Sequence, residues 1–438
     1  IKSLHVNSSD IGGGAARAAY RIHRSLRDHG YEYGLQSNMQ VISKLSDDNS
    51  VIESRHSPRL SFADRIDRKF FSRNRSPIGF KSANPTLFSI AWPPTGLGNE
   101  LDQFHRSGSL NLVHLHWLGD RTISIEEIGR LKIPIVWTLH DQWAFCGAEH
   151  YTSSPVGNES ESNDLRFVCG YTSKSRLTHE SGPDLNRITW LRKKHSWTNP
   201  IHIVCPSNWL ANCVRSSALM GDWPITVIPY PIDINIWKPL DKRQARHLLH
   251  FPQDCPLILF GALGGMSDPR KGADLLLESL EKLSKQVAGT AMEQLELVVF
   301  GQSSALGDSQ SRFPIHYTGH LHDDISIRLL YAAADVMVVP SRQEAFGQTA
   351  SEAHACGTPV VAFRTGGLVD IVSDRSTGAL ADPFDTSSLA SAIRWVLEDT
   401  ERLRILGASA RIKAETLWDP KLVVSEYANV YRAASQYS

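Results

Sequence analysis

The chain carries no excess charge of either sign: 46 Lys and Arg stand against 46 Asp and Glu in 438 residues. No global field draws nucleic acid, so no nucleic-acid partner is expected and any phosphate site has to be built locally. Cysteine is scarce, and Cys146, Cys169, Cys205, Cys213, Cys255 and Cys356 include no Cys-x-x-Cys pair. That excludes a zinc-ribbon or dithiol motif and leaves free buried thiols in a reducing cytoplasm, with no metal. No apolar run reaches eighteen residues, so no transmembrane helix is expected. There is no Asp-x-Asp triplet to suggest a bound divalent ion. The first strand, Leu4-His5-Val6-Asn7, is followed by Gly12-Gly13-Gly14-Ala15 rather than Gly-x-Gly-x-x-Gly, which argues against a nicotinamide dehydrogenase. No signal peptide precedes that strand, although a start at Ile1 leaves a trimmed leader open.

What is present is an ordinary globular composition, 41% hydrophobic and 21% charged, on a chain longer than one core usually supports. Two domains are expected. The chain is organised around Ser341 to Pro359. Before it Asp335 to Pro340 is an apolar β-branched run, and after it Val360 to Phe363 reads the same way, as in a parallel sheet. Strand, loop, helix, strand follows. Gly347 opens the helix, where amides and the positive dipole end hold an anion, and Gly357 with Pro359 ends it about three turns on. Glu344 before the helix and Glu352 in its second turn can reach opposite ends of one extended ligand. Two surface glutamates on a solvated helix is the plainer reading of the pair.

Other segments carry further candidates. Gly12-Gly13-Gly14 joins a strand to a helix at Ala15 to His29, and is either a phosphate or sugar cradle or an ordinary tight turn. Residues 50–81 are rich in Arg, with Phe62, Ile66, Phe70 and Phe71 as an apolar stripe. They read as a solvated lid or oligomer contact, with a basic helix on an anionic membrane as the alternative. Two apolar strands end in histidine, one at His116 and one at His140, the second followed by Asp141. Ligands bind beyond the carboxyl ends of such strands. Cys146 to Ser181, with Glu149, His150 and Tyr151, is polar and aperiodic and reads as an acceptor-side loop. Ser207 stands as an N-cap. Proline is dense from Ile228 to Pro239, as in a linker, and strand and helix alternate beyond it. Asp268-Pro269-Arg270-Lys271-Gly272 then puts two cations at a strand-to-helix junction.

Glu344, seven residues, Glu352, with Phe346-Gly347 and the exit Gly357-Thr358-Pro359-Val360-Val361, resembles the donor motif of retaining GT-B glycosyltransferases of family 4. Lys271-Gly272, Thr365-Gly366-Gly367 and Asp370 match further motifs of that family, although its usual Arg after the strand glycine is here Ala262. The resemblance implies two Rossmann-like doubly wound domains facing a cleft, with a C-terminal helix crossing back. Residues 1–229 would be the acceptor-side domain, 230–240 a linker, 241–417 the donor domain and 418–438 the crossover helix. It implies catalytic roles for His140, Glu344, Lys271 and Arg270, and donor contacts from Gly13, Gly14, Phe346, Gly347, Gln348, Thr349 and Glu352. His116, Asp141, Glu149 and His150 fall on the acceptor side. The co-substrate would be a UDP or GDP sugar, with no cofactor and no metal. The acceptor would be a glycan, a lipid-linked oligosaccharide or a small molecule. A cytoplasmic enzyme in peripheral contact with the membrane would suit a lipid-linked acceptor. A nucleotide-sugar 2-epimerase of the same architecture and a non-catalytic two-domain sugar-binding protein are the alternatives.

Overall fold

The computed structural model describes residues 1–54, 88–119, 122–152, 165–177, 180–261, 268–303, 311–321 and 323–436. The basic segment expected at 50–81 lies outside these from residue 55 onward, as does Ala262. The chain divides into two units, Ile1–Ile228 with Val424–Ser438, and Pro229–Val423.

Seven parallel strands form the sheet of the first unit: β1 (Lys2–Ser9), β2 (Gln36–Ser43), β3 (Val51–Glu53), β4 (Leu112–Leu115), β5 (Ile135–Thr138), β6 (His202–Cys205) and β7 (Ile225–Val227). Their order is β3-β2-β1-β4-β5-β6-β7. The winding reverses between β1 and β4, whose register sets His5 beside His114. β4 is buried along its whole length because helices cover both faces of a parallel sheet. The polar start of the basic segment proves to be an edge strand: Val51 is buried against Ala19, Met39 and Val41, and Ile52 and Glu53 are exposed.

The second unit holds β8 (Leu257–Gly261), β9 (Glu296–Phe300), β10 (Ile315–Tyr317), β11 (Val336–Val339), β12 (Val360–Phe363) and β13 (Gly378–Ala381), again all parallel, in the order β10-β9-β8-β11-β12-β13. Its core packs Ile258, Leu280, Val336, Val361, Phe363 and Ile393 together. The reversal here lies between β8 and β11. In doubly wound sheets such a reversal leaves a crevice beyond the strands' carboxyl ends, where ligands sit.

Three expectations are corrected. The helix after Gly347 spans Gln348–Ala355, about two turns rather than three, because Gly357 at φ 76° turns the chain and Thr358 N returns to Ala353 O at 2.9 Å. Described parts of Cys146 to Ser181, expected as a polar, aperiodic loop, are interior and include a short helix at Arg166–Cys169: Cys146, Glu149, His150, Phe167 and Tyr171 are all buried. Their polar groups pair with one another, Arg166 with Glu180 at 3.1 Å for one. The six cysteines are free, but Cys169 is exposed and Cys213 half-buried. The C-terminal helix, Pro420–Ala434, begins in the second unit and from Val424 belongs to the first. No helix among the described residues is long and apolar enough to cross a membrane.

Candidate active site

In the second unit the chemistry gathers where β8 and β11 end. The Asp268 side chain accepts from Arg270 N at 3.0 Å and starts a single 3-10 turn, Pro269–Lys271. Gly272 closes that turn at φ 70°, and a Cβ there would stand 2.0 Å from the Pro340 carbonyl oxygen, so only glycine lets the turn lie against the end of β11. Lys271 Nζ donates to Glu344 Oε1 at 2.5 Å, Ser341 Oγ donates to the same oxygen at 3.1 Å, and Arg270 Nη1 stands 3.9 Å from Oε2. Burial pushes the Glu344 carboxyl up, but Lys271, Arg270 and the hydrogen bonds from Lys271 and Ser341 outweigh it and hold it below its ordinary range. Burial lowers the Lys271 pKa, and Glu344 opposes that shift. Arg270 also donates to Asp268 and to the Gln343 carbonyl, at 3.0 and 3.2 Å.

Gly347, at φ 103°, caps the Gln348–Ala355 helix and brings its first turn beside this ion pair. The Thr365-Gly366-Gly367 turn lies against the same loop, with Gly367 N donating to Glu344 O at 2.8 Å. Phe346 is buried edge-on to Tyr230 at 4.8 Å. Thr349 lies in the helix's first turn, and Glu352, further along, accepts from the Tyr331 hydroxyl at 2.9 Å. Asp370 lies in the short helix that follows the Gly367 turn.

In the first unit a second cluster forms where β4 and β5 end. His116 Nδ1 and His140 Nε2 share a hydrogen bond of 3.0 Å. The Asp141 carboxylate takes the Trp117 indole at 2.8 Å, Trp143 N at 2.9 Å and His150 Nδ1 at 2.6 Å. Burial raises the Asp141 pKa, but His150 and these donors outweigh it and keep the group acidic. Burial lowers the His140 pKa to about 4 against the opposing pull of Asp141, so the ring is neutral at pH 7. A small pocket is lined by His116, Trp117, His140, Asp141, Trp143 and His150. Glu149 stands apart from it, accepting from the Tyr171 hydroxyl with Arg166 3.8 Å away. Gly13, at φ 115°, caps the helix that begins at Gly14, as a strand-to-helix turn requires.

Each unit thus brings together its own sequence candidates: Arg270, Lys271, Glu344 and the Gly347 turn in one, His116, His140, Asp141 and His150 in the other. Sequence reasoning missed the groups that hold them. Asp10 takes the amides of Ile11, Leu45 and Ser46, each at 2.9 Å, and pins the glycine loop to the segment after β2. Arg342 fixes the Pro269 turn, donating to its carbonyl at 2.6 Å and pairing with Asp274 at 2.6 Å. Lys193 donates to the carbonyls of Trp143, Cys146 and Gly147 behind the pocket. Each is a charged residue amid ordinary polar sequence; Arg342 lies inside the Ser341 to Pro359 stretch and Asp10 inside the loop leading to Gly12, where signals pointed, and Lys193 lies where none did.

Residues 258–399 match the family described as Glycosyl transferases group 1. A D-inositol 3-phosphate glycosyltransferase of Xylanimonas cellulosilytica is 35% identical over 212 residues, 44% of this chain and 48% of that protein. One from Geodermatophilus obscurus is 34% identical over 222 residues, 48% of this chain and 47% of that protein. The chain spans about half the length of the curated relatives it matches. Among solved structures, sucrose-phosphate synthase from Thermosynechococcus elongatus superimposes with a TM-score of 0.65 at 19% identity, covering 100% of this chain and 99% of that one. HepE of Anabaena, in complex with UDP and glucose, gives 0.62 at 16% identity over 98% and 99%. The fold is therefore that of the GT-B glycosyltransferases, two doubly wound parallel-sheet units with a helix at the C-terminal end. Within it, the match to the glycosyltransferase group 1 family falls in the second unit, over residues 258–399.

Proposed function

We propose that the chain is a retaining glycosyltransferase of family 4. It moves a sugar from a nucleotide diphosphate sugar to a hydroxyl of a glycan, lipid-linked or small-molecule acceptor, without a divalent metal. The observation that carries this reading is the Lys271–Glu344 pair at the carboxyl ends of β8 and β11, beside a glycine-opened helix. Breakage of the glycosidic bond puts negative charge on the leaving diphosphate. Lys271, Arg270 and the amides from Phe346 to Gln348 are prepositioned donors for that charge, which lowers the barrier without reorganisation. Glu344 and the neutral His140 orient the transferred sugar. Glu352 binds ribose hydroxyls, and the leaving phosphate takes the acceptor's proton on the face it departs from. The second unit is then the donor domain and the first, with Gly13, Gly14, His116, Asp141, Glu149 and His150, the acceptor side.

UDP is the first donor nucleotide to test, since the HepE structure holds UDP with glucose and the pneumococcal O-GlcNAc transferase GtfA, of TM-score 0.58, holds UDP with GlcNAc. Melting temperature is measured with UDP, GDP and their sugars, with and without EDTA, on wild type, Glu352→Ala and Lys271→Ala. At a hundredfold excess over Kd, binding to the folded state stabilises it by about 2.7 kcal/mol. A shift with one nucleotide, unchanged by EDTA and lost in both variants, is expected. No shift with any nucleotide would sink the transferase reading, and a shift abolished by EDTA would sink metal independence.

A further inference from the structure

Asp141, His150 and Ser89 of the first unit stand in a row. Asp141 Oδ2 meets His150 Nδ1 at 2.6 Å, and His150 Nε2 meets Ser89 Oγ at 2.8 Å. Two separate stretches of chain build this row. Phe88 forms an antiparallel bridge with Glu149, Ser89 N donates to the Ala148 carbonyl at 2.8 Å, and the Trp143 indole donates to the Ser89 carbonyl at 2.8 Å. Arg192 donates to the carbonyls of Ile90 and Ala91, at 2.6 and 3.0 Å. The backbone of Ser89 is thus held on both sides, with its hydroxyl turned to the imidazole. His150 and Asp141 are buried, and Ser89 is half-buried.

The short contact settles where the protons lie. Asp141 is ionised: burial raises its pKa, but His150, the Trp143 amide and the Trp117 indole outweigh that. A carboxylate can only accept, so the 2.6 Å contact requires a proton on His150 Nδ1. The Trp117 indole, 3.2 Å from Nδ1 and 2.8 Å from Oδ2, gives its proton to the carboxylate. In the neutral ring Nε2 is then the acceptor, and the Ser89 hydroxyl donates to it. A hydroxyl bonded to an imidazole that is backed by a buried carboxylate is the arrangement that makes serine a nucleophile, and it is recognised by geometry and roles on unrelated folds.

We propose that Ser89, His150 and Asp141 form a nucleophilic triad that takes an acyl group from a carboxylic ester. Ser89 Oγ bonds to the carbonyl carbon while His150 Nε2 takes its proton. The carbon–oxygen bond to the alcohol then breaks, and the alcohol leaves with that proton. Water adds to the acyl-serine by the same route, releasing the acid and restoring the serine. Asp141 is a positioning residue, which orients the ring and stabilises the imidazolium. Among the described residues the Ile90 amide has no acceptor, and the amide after the nucleophile is the one that such sites offer to the oxyanion. A polar brace for the Phe88 bridge is the competing account, and it predicts an ordinary serine. The proposal does not rest on the glycosyltransferase reading.

The test treats the full chain with an alkyl fluorophosphonate and maps the adduct by mass spectrometry. A phosphonyl group is expected on Ser89 and not on exposed Ser107, whose hydroxyl has only the Phe104 carbonyl and Ser109 as partners. His150→Gln should slow the labelling of Ser89 by about 10²–10⁴-fold, the usual worth of a general base, and Asp141→Asn should slow it too, each measured in protein that keeps its melting transition. Release of p-nitrophenolate from p-nitrophenyl acetate should fall to the solvent rate in Ser89→Ala. Labelling no faster at Ser89 than at Ser107, labelling unchanged in folded His150→Gln, or ester cleavage unchanged in Ser89→Ala would each overturn the proposal. Should the His150 and Asp141 variants fail to fold, the Ser107 comparison and Ser89→Ala still decide. No nucleotide is present, so failure of the donor reading would show in the melting shifts and not here.

Discussion

Glu344 accepts from Lys271 Nζ at 2.5 Å and from Ser341 Oγ at 3.1 Å in a site largely closed to water. A paired charge in such a place is tolerated because its partner replaces hydration, and removal of one member leaves the other stranded. Glu344→Gln is therefore expected to destabilise the second unit by about 2–3 kcal/mol, near the lower end for a broken buried pair because both side chains keep some solvent contact. Adding Lys271→Met should return most of that loss. Urea unfolding of the two single variants and the double variant reads the coupling, and additive losses would show that the pair does not act as a unit. The Glu344 loop itself was legible, because Phe346-Gly347, Gly357 and Pro359 punctuate an apolar background. The partner on Glu344 was less so: Ser341 is a residue type that occurs everywhere, and nothing in its sequence context marks it.

The helix Leu185–Ser196 places Lys193 entirely inside the first unit, its ammonium against the Trp143 ring at 3.9 Å and three carbonyls of the Trp143 to Gly147 turn. Burial pushes its pKa down to about 7. Lys193→Met keeps the stem but strands those carbonyls, at a cost on the order of 3 kcal/mol. The expected result is a lower melting temperature with faster amide exchange from Asp141 to His150 than in β12. Equal exchange in both would show that the turn stands without it. Strands such as β11 and β12 were legible because four consecutive apolar residues have no alternative to burial. β7 was not, since Ile225–Val227 is half-buried throughout and three residues carry no period. Nor was the packing of His5 against His114 and His116 legible. His114 and His116 show only an alternating spacing, and His5 joins them solely through the pairing of β1 with β4.

At the scale of the molecule, buried neutral histidines link stability to acidity. Burial lowers His23 and His140 to about 4 and His354 to about 3, and holds His5, His114 and His116 well below their ordinary 6.5. Below 6.5 the unfolded chain takes up protons that the folded chain refuses, so stability falls as pH falls through the window from 6.5 to about 4. Lys193 has the same sign at higher pH, its folded pKa of about 7 lying below its ordinary 10.5, so stability still rises above neutrality. Five of the six histidines lie in the first unit. At pH 5.5 each contributes about 1 kcal/mol of loss, and the first unit's melting temperature should drop by about 10 °C relative to pH 7.5. Equal melting temperatures at the two pH values would contradict the neutral, buried state of these rings.

The C-terminal helix supplies Tyr427 and Tyr431 to the interior of a unit whose other residues end at Ile228. Synthesis on the ribosome runs in chain order, and domains generally fold as units as they emerge. The unit begun first is thus the one finished last. Through translation of the whole second unit, His5, His114 and Thr138 wait without the hydroxyls that complete their hydrogen bonds. A chain released at residue 423 would hold the whole second unit and an unfinished first.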